Sequence, residues 1–496
     1  MNWFRAARQA SAMCKAPFRH TRTTRWTLGL MVSLVSIWVL RGVGRGTPSP
    51  GQASTPNIVF ILTDDLDARS IGFMPKLKSL VADRGTTFAN FFVTNSLCCP
   101  SRASFLTGKY VHNHGVFTNS FPPGGFQKFH DTGGESSTVA TWLKTKGYRT
   151  MLAGKYLNGY RDGKAMAVPP GWDEWYATLQ DEETYSYYFF SINENGRRVQ
   201  YQNRPEDYLT DVVARKATDF IERAAADTRP FFLYLAPYAP HLPATPAPRH
   251  QNEFHDITAP HSPSFNEEDV TDKPQWVRRA ERLTPAEILE IDEVYRRRLQ
   301  SLLAVDDMIE EIIRSLGARD RMTNTFIFFS SDNGFHMGEH RLPSGKGTAY
   351  EEDIRVPLIV RGPGVPARST VDHFALNIDL APTFAQLAGA KTPDAVDGLS
   401  LVPLLGNSLP SVDAWRKDFL IEHWADRGDR VRPYSALRTR DYLYVDYATG
   451  ERELYNLRTD PNELTSIHSS ASHALMKELG KRLNALERCK GATCQR

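Results

Sequence analysis

The chain has 496 residues, 41% hydrophobic and 24% charged, an ordinary globular composition whose length suits one large α/β domain and a smaller one. Its 60 basic and 57 acidic residues leave a net charge of +3, and Arg5, Arg8, Lys15, Arg19, Arg22 and Arg25 carry much of the excess. The rest is near neutral, which excludes the basic face of a nucleic-acid binder.

Those N-terminal cations lead into the apolar run 26–40, closed by Arg41. About fifteen apolar residues suit a signal-peptide core and are short for a membrane span. Residues 1–41 are therefore read as an export leader, either cleaved as a signal peptide or kept as an N-terminal anchor. Residues 42–56, rich in Gly, Pro and Ser, read as a flexible linker. The protein is expected outside the cytoplasm, whether secreted, periplasmic or membrane-anchored. Cysteine usage agrees. Cys489 and Cys494 flank a short polar loop that a disulfide would close in an oxidising compartment, and a Cys pair without His is a poor zinc site. The chain holds no Asn-x-Ser/Thr sequon, which favours an exported bacterial enzyme over a glycan-routed lysosomal one.

The body is expected at 57–405. The apolar run 57–62 precedes Asp64-Asp65. A strand-like run, 87–93, precedes Cys98-Cys99-Pro100-Ser101-Arg102, and 101–106 reads as a short helix with Ser101 near its start. Run 148–152 precedes Gly154-Lys155, run 231–235 precedes His241, and run 326–329 precedes Asp332-Asn333. Continuous hydrophobic strands with helical stretches between them indicate a mostly parallel sheet covered on both faces. Ligands of such sheets bind beyond the strand C-termini, where all these reactive residues fall. Segment 243–282, rich in Pro, His and charge, reads as a long active-site loop. Thr284-Pro285-Ala286-Glu287 opens a long helix with a capping box, expected to run to about Ser315 with Gly317 as its stop. Asp306-Asp307 within it read as surface residues. After 405 the texture changes to a smaller C-terminal α+β domain, 406–496. It holds a hairpin (442–447 with 453–457) and a final helix striped by Leu475, Leu479, Leu483 and Leu486.

Asp64-Asp65 and Asp332-Asn333 place four oxygen-bearing side chains at one sheet edge. Hard oxygen ligands suit Ca²⁺ or Mg²⁺, and three carboxylates with an amide favour calcium. Each pair alone would read as a turn or helix cap. A cysteine just before a helix N-terminus, such as Cys98, lies in a positive field that favours anions, whereas a bare Cys-Cys dipeptide reads equally as a buried structural pair.

The full string Cys98-Cys99-Pro100-Ser101-Arg102 through Leu106-Thr107-Gly108-Lys109 resembles the sulfatase signature Cys-x-Pro-Ser-Arg-x-x-x-Leu-Thr-Gly-(Arg or Lys) at every specified position. The resemblance implies an alkaline-phosphatase-like fold, a mostly parallel sheet sandwiched by helices. It implies that Cys98 is oxidised by a formylglycine-generating enzyme to formylglycine. Hydration of that aldehyde gives a diol, one hydroxyl of which attacks sulfur while the other later expels sulfate. Pro100 and Arg102 then belong to the recognition string for conversion, Arg102 and Lys109 hold the diol and the sulfate charge, and Cys99 is only a small buried residue. Asp64, Asp65, Asp332 and Asn333, with the group made from Cys98, become the metal site. Leu235-Ala-Pro-Tyr-Ala-Pro-His241 and Gly345-Lys346-Gly347 resemble the family's substrate-facing segments, making His241 and Lys346 candidates to protonate the leaving alkoxide. Gly154-Lys155-Tyr156-Leu157-Asn158-Gly159 departs from the common Gly-Lys-Trp-His-Leu-Gly. Lys155 survives, but Leu157 replaces a histidine that acts as base. Asn158 cannot take a proton, so His112 or His114 is the expected substitute.

These departures, with the terminal Cys-x-Gly-x-Thr-Cys, resemble N-acetylglucosamine-6-sulfatases and heparan sulfate 6-O-endosulfatases. The substrate implied is a sulfated saccharide. Trp172, Trp175, Tyr176, Tyr185, Tyr187 and Tyr188 read either as sugar-stacking rings or as core and lid packing. The rival readings are a broad arylsulfatase, a phosphoester or phosphonate hydrolase of the same superfamily, and a non-catalytic sulfated-glycan binder.

Overall fold

A computed structural model describes residues 55–161, 166–180, 184–426 and 428–495. The expected leader 1–41 and nearly all of the linker 42–56 lie outside the described residues. Residues Ala53–Arg496 form one compact unit.

Its strands are β1 (Asn57–Thr63), β2 (Thr86–Phe88), β3 (Phe91–Phe92), β4 (Arg149–Gly154), β5 (Glu174–Leu179), β6 (Ser191–Glu194), β7 (Arg197–Gln200) and β8 (Phe231–Ala236). After them come β9 (Thr325–Ser331), β10 (Leu358–Arg361), β11 (Ser369–Val371), β12 (Ala375–Leu376), β13 (Asp418–His423), β14 (Tyr434–Thr439), β15 (Tyr442–Tyr447) and β16 (Arg452–Asn456). A ten-stranded sheet runs β11-β2-β10-β9-β1-β8-β4-β5-β6-β7. Its middle, β9-β1-β8-β4-β5, is wholly parallel. Every residue of β1, β8 and β9 is buried. Phe60, Tyr234 and Phe328 point into a core with Phe105 and Phe384, while Ile61, Leu235 and Phe329 point into a second core with Phe220 and Leu302. Burial on both faces explains the unbroken apolar runs, each such side chain contributing about 1.5–3 kcal/mol.

The strand expected at 87–93 is two strands. β2 pairs with β11 and β3 with β12, in separate sheets, so the chain breaks at Ala89-Asn90 to follow two different partners. The signature helix spans Cys98–Thr107 and starts at Cys98 rather than Ser101. Pro100 fits its first turn, where an N–H has no intrahelical partner, and Gly108 at φ 66° ends it in the left-handed region. The long helix spans Pro285–Ala318, with Thr284 and Glu287 in a reciprocal capping box, and it passes through Gly317 instead of stopping there.

Asp306 corrects the surface reading given to it. It is 1% exposed and accepts the backbone N–H groups of Lys76 at 2.9 Å and Leu77 at 2.7 Å. The long helix crosses the start of helix Pro75–Leu80, whose first N–H groups lack partners of their own. Asp307 does face outward, pairing with Lys76, Arg249 and His250, each at 2.8 Å.

β13 to β16 form a four-stranded antiparallel sheet in chain order, with Leu443 opposite Tyr455 in the expected hairpin. Helix His473–Leu486 buries Leu479, Leu483 and Leu486 and packs Leu475 at the margin. Cys489 and Cys494 are disulfide-bonded.

Candidate active site

The C-terminal ends of β1, β4, β8 and β9 deliver charged residues to one place. β1 runs into Asp64 and Asp65, β4 into Lys155, and β9 into Asp332 and Asn333; the turn after β8 brings His241. Two backbone features make this convergence feasible. Gly154, at φ 106°, lies so close to β8 that a Cβ would fall 2.1 Å from the carbonyl oxygen of Ala236. Asp65 itself sits at φ 66°, a region that Asp tolerates better than most residues and that concentrates at working sites.

Cys98 Sγ faces Asp64 Oδ1 at 3.3 Å, Asp65 Oδ1 at 3.7 Å and Lys346 Nζ at 2.7 Å. Lys155 Nζ donates to Asp64 Oδ2 at 2.5 Å, and Lys346 Nζ donates to Asp65. Arg102 donates through Nε to Asp332 Oδ2 at 2.8 Å and through Nη1 to the Lys155 carbonyl at 3.0 Å. Its Nη2 is buried without a hydrogen-bond partner, 3.9 Å from Asp64. His241 holds Nδ1 at 2.7 Å from the Leu242 carbonyl, which leaves Nε2 3.6 Å from Asp65. Tyr185 stacks on His241 with ring centroids 4.6 Å apart, and Lys155 Nζ lies 5.8 Å from the same tyrosine ring.

The electrostatics follow from burial set against these pairings. Burial alone would raise Asp64 and Asp65, but Lys155 at Asp64 and Lys346 at Asp65, with His241 beside both, hold them below the usual carboxylate range. Burial and the neighbouring Asp64 charge push Asp332 up to about 6 despite Arg102. Burial and Asp64 also raise the Cys98 thiol well above its ordinary value, against the pull of Lys155 and Lys346. The expectation of an anion-favouring thiol at a helix start is thereby corrected.

Asp64, Asp65, Cys98 and His241 each bring a ligand atom within 4.8 Å of the others. Asp332 Oδ1 accepts the Asp65 N–H at 3.0 Å, and Asn333 donates to Asp65 Oδ1 at 2.8 Å. Asn333 Oδ1 is buried with no partner. Three buried carboxylates and an unsatisfied amide oxygen fit a divalent cation with hard-oxygen preference.

Other expected site residues lie elsewhere. Lys109 follows Gly108 at the far end of the signature helix. Ten helical residues span about 15 Å, so Lys109 is removed from Cys98 and the sulfate-holding role assigned to it is withdrawn. His112 sets Nδ1 2.9 Å from Glu422 and Nε2 2.9 Å from the Cys489 carbonyl. His114 sets Nε2 3.0 Å from Ser104 and accepts the Val116 N–H at 3.1 Å, and burial lowers it to about 3. The His112 ring packs beyond that helix end and the His114 ring against the helix itself, at Ser104 and the Pro100 backbone, and neither is paired with the charged cluster. Of the six aromatic residues, Trp172, Trp175 and Tyr176 are buried packing and Tyr188 is partly buried; Tyr185 lies against the His241 ring, and the buried Tyr187 donates its hydroxyl to the His241 carbonyl at 2.8 Å.

Two contributors escaped the sequence reading. Arg298 is fully buried and donates to the carbonyls of Asp65 and Pro240, joining the turns after β1 and β8. Its signal was its place on the apolar stripe of Tyr295, Leu302 and Val305, masked by the adjoining Arg296-Arg297. A cavity of about 300 Å³ opens beside Lys346, lined also by Leu97, Trp276, His336, His423 and Arg430. Both ring nitrogens of His423 are buried there without partners, and burial lowers the ring to about 4.

The Sulfatase family profile matches residues 56–390, and that of the N-sulphoglucosamine sulphohydrolase C-terminal region matches 338–489. The chain is 36% identical to human N-acetylglucosamine-6-sulfatase over 494 residues, covering 92% of this chain and 87% of that protein. It is 38% identical to the extracellular sulfatase SULF-1 homolog of Drosophila melanogaster over 74% of this chain and 33% of that longer protein. A solved structure in complex with its substrate D-glucosamine-2-N,6-O-disulfate superposes with a TM-score of 0.75 at 26% identity, covering 87% of this chain and 97% of the other.

Proposed function

The chain belongs to the sulfatase family and hydrolyses sulfate esters; from that premise we propose that its substrate is a 6-O-sulfated, N-acetylglucosamine-type residue of a glycan. The carrying observation is the likeness to human N-acetylglucosamine-6-sulfatase along nearly the whole chain. The glucosamine disulfate held by the solved relative supports the same sugar class. So does the cavity beside Lys346, where Trp276 offers an apolar face and the unpartnered His423 nitrogens await sugar hydroxyls. A larger cleft shares Trp276 and Arg430 with it and adds Arg279, Arg282, Arg341 and Arg432 alongside Glu281, Glu287 and Glu451, a mixed lining in which the arginines are in excess.

Cys98 is read as the precursor of formylglycine, installed by a formylglycine-generating enzyme, and its Sγ marks where the reactive oxygen of that residue sits. The cation, read as Ca²⁺ with Mg²⁺ as the alternative, would be held by Asp64, Asp65, Asp332 and Asn333 together with the modified residue 98. It would supply Lewis-acid polarisation of the sulfate and charge stabilisation worth several kcal/mol. The rest falls to side chains. Arg102 orients Asp332 and keeps Nη2 free for an anionic oxygen. Lys155 neutralises Asp64. Lys346, kept charged because the Asp65 and Asp64 carboxylates outweigh its burial, stabilises the sulfate. His241, whose Nε2 is aimed at the cluster by the Leu242 carbonyl, exchanges the proton with the leaving alkoxide and is the remaining imidazole for the base role. The catalytic part is taken as 57–405, the C-terminal part as 406–496, and the protein as exported.

A sulfate-release screen on glucosamine-6-sulfate, glucosamine-N-sulfate and galactose-6-sulfate saccharides tests this reading. Turnover should be greatest on the first. Preference for either of the others, or for simple aryl sulfates over all three, would overturn the substrate assignment.

A further inference from the structure

Away from the active site, one ring nitrogen of His340 and one carboxylate oxygen each of Glu352 and Glu463 lie within 4.8 Å of one another. His340 is 0% exposed and Glu463 1%, and the Glu352 side chain is 12% exposed. His340 Nδ1 is engaged by Glu267 Oε2 at 2.7 Å, so Nε2 is the nitrogen left over. It is buried without a hydrogen-bond partner, as is Glu463 Oε1. The other Glu463 oxygen accepts the Glu351 N–H at 3.1 Å. Of the neighbouring cations, Arg69 spends its guanidinium on Glu339 at 2.8 Å and reaches Glu352 only at 3.8 Å, and Arg438 is paired with Glu351 at 2.7 Å.

Two buried carboxylates and an orphaned imidazole nitrogen are costly unless positive charge joins them. A proton shared by Glu352 and Glu463 would satisfy the carboxylates alone. A proton placed instead on Nε2, or on one carboxyl and donated to Nε2, would bridge only two of the three groups. A cation satisfies all three. We propose that His340, Glu352 and Glu463 form a second, buried metal site for a zinc-class divalent ion. A ring nitrogen with two carboxylates is a donor set for zinc and its first-row neighbours, whereas calcium and magnesium prefer oxygen alone. The Glu267 contact to Nδ1 is the outer-sphere carboxylate that metal-bound histidines ordinarily carry; it fixes the tautomer and turns the Nε2 lone pair toward the ion. Tetrahedral zinc with bonds of about 2.1 Å holds its ligands about 3.4 Å apart, so side-chain adjustments of about 1 Å close the site. Three protein ligands leave the fourth position to water.

The site would be structural. His340 and Glu352 bracket the segment that presents Lys346 to Cys98, and Glu463 follows β16 in the C-terminal part. One ion would cinch both ends of that segment to the small sheet.

The experiment is zinc and calcium analysis of the full chain after equilibration with both ions, alongside three variants. The wild type should retain one equivalent of zinc. Cys98→Ala should retain it too, because that variant strips a zinc-binding thiol from the active site and leaves His340 untouched. Glu463→Gln should lose it. Glu267→Gln, which touches no metal directly and so guards against a fold failure in Glu463→Gln, should bind zinc about 10–100-fold more weakly. No saturable zinc in the wild type, zinc retained in Glu463→Gln, zinc lost in Cys98→Ala, or unchanged affinity in Glu267→Gln would each overturn the proposal. None of these readouts depends on the sugar the enzyme prefers.

Discussion

Replacing Lys346 with Gln removes one ammonium from the middle of the cluster while keeping most of the side-chain volume. Lys346 Nζ lies 2.7 Å from Cys98 Sγ, and the side chain is 15% exposed. At that separation and an effective dielectric near 20, a unit negative charge developing at residue 98 or on a bound sulfate would be attracted by about 6 kcal/mol. That figure is a ceiling, because water entering in place of the ammonium screens part of the charge. Losing a single donor to a developing oxyanion costs about 2.7–4 kcal/mol, which lies under the ceiling and corresponds to ~100–1,000-fold in kcat. Metal content should not fall, since Asp65 loses a competitor for its oxygen rather than a supporting contact. The assay is initial-rate sulfate release from a 6-sulfated glucosamine saccharide, with bound calcium and melting temperature measured on the same preparation. A raised KM with unchanged kcat would refute the reasoning, because it would make Lys346 a general attractor for anions with no preference for the transition state.

Four further outcomes are expected. Cys98→Ala should abolish sulfate release with the fold intact, whereas Cys99→Ala should keep most activity; intact-mass analysis of the Cys98 peptide, lighter after conversion of sulfur to carbonyl oxygen, reports the modification directly. Asp332→Ala should lose calcium and activity together. Asp306→Ala should keep the metal but lower stability by about 1–3 kcal/mol, read from denaturant midpoints, because two backbone N–H groups lose their acceptor. His112→Ala and His114→Ala should retain wild-type turnover and lose only stability, seen in melting temperature; a slowed step in either would reinstate a histidine base on that segment.

The strand ends were legible because a strand buried on both faces must be written in consecutive apolar residues, and a charged pair after such a run has few reasons to be there. Asp64, Lys155, His241 and Asp332 stood out in that way and Lys346 through the resemblance of its loop, and the five meet in one cluster with Arg102. Lys109 misled because a position of the signature was taken for a position of the site, and His112 and His114 because closeness in sequence to Cys98 was taken for contact, while their rings pair with Glu422, the Cys489 carbonyl and Ser104. Asp306 misled for a related reason. Adjacent helical aspartates do point apart, and the sequence could not say that one of them points at the start of another helix. Arg298 hid inside a run of three arginines. The His340, Glu352 and Glu463 group was invisible because each residue alone is an unremarked polar position, and tertiary packing alone brings them together.

Every residue of the Cys98–Thr107 helix is buried, and the segment around Cys489 packs against the chain that follows it. The Cys489 carbonyl meets His112, and the Gly491 N–H donates to Asp397 at 2.7 Å, the same carboxylate that accepts the Tyr110 N–H at 2.8 Å. If Cys98 is the precursor of formylglycine, as proposed, an enzyme that oxidises it has to act on a thiol that the folded chain buries. On that reading maturation would be a race between a modifying enzyme and collapse of the polypeptide. A mutation that merely slows folding would lengthen the interval and raise the converted fraction. One that hastens collapse would yield well-folded, inert protein.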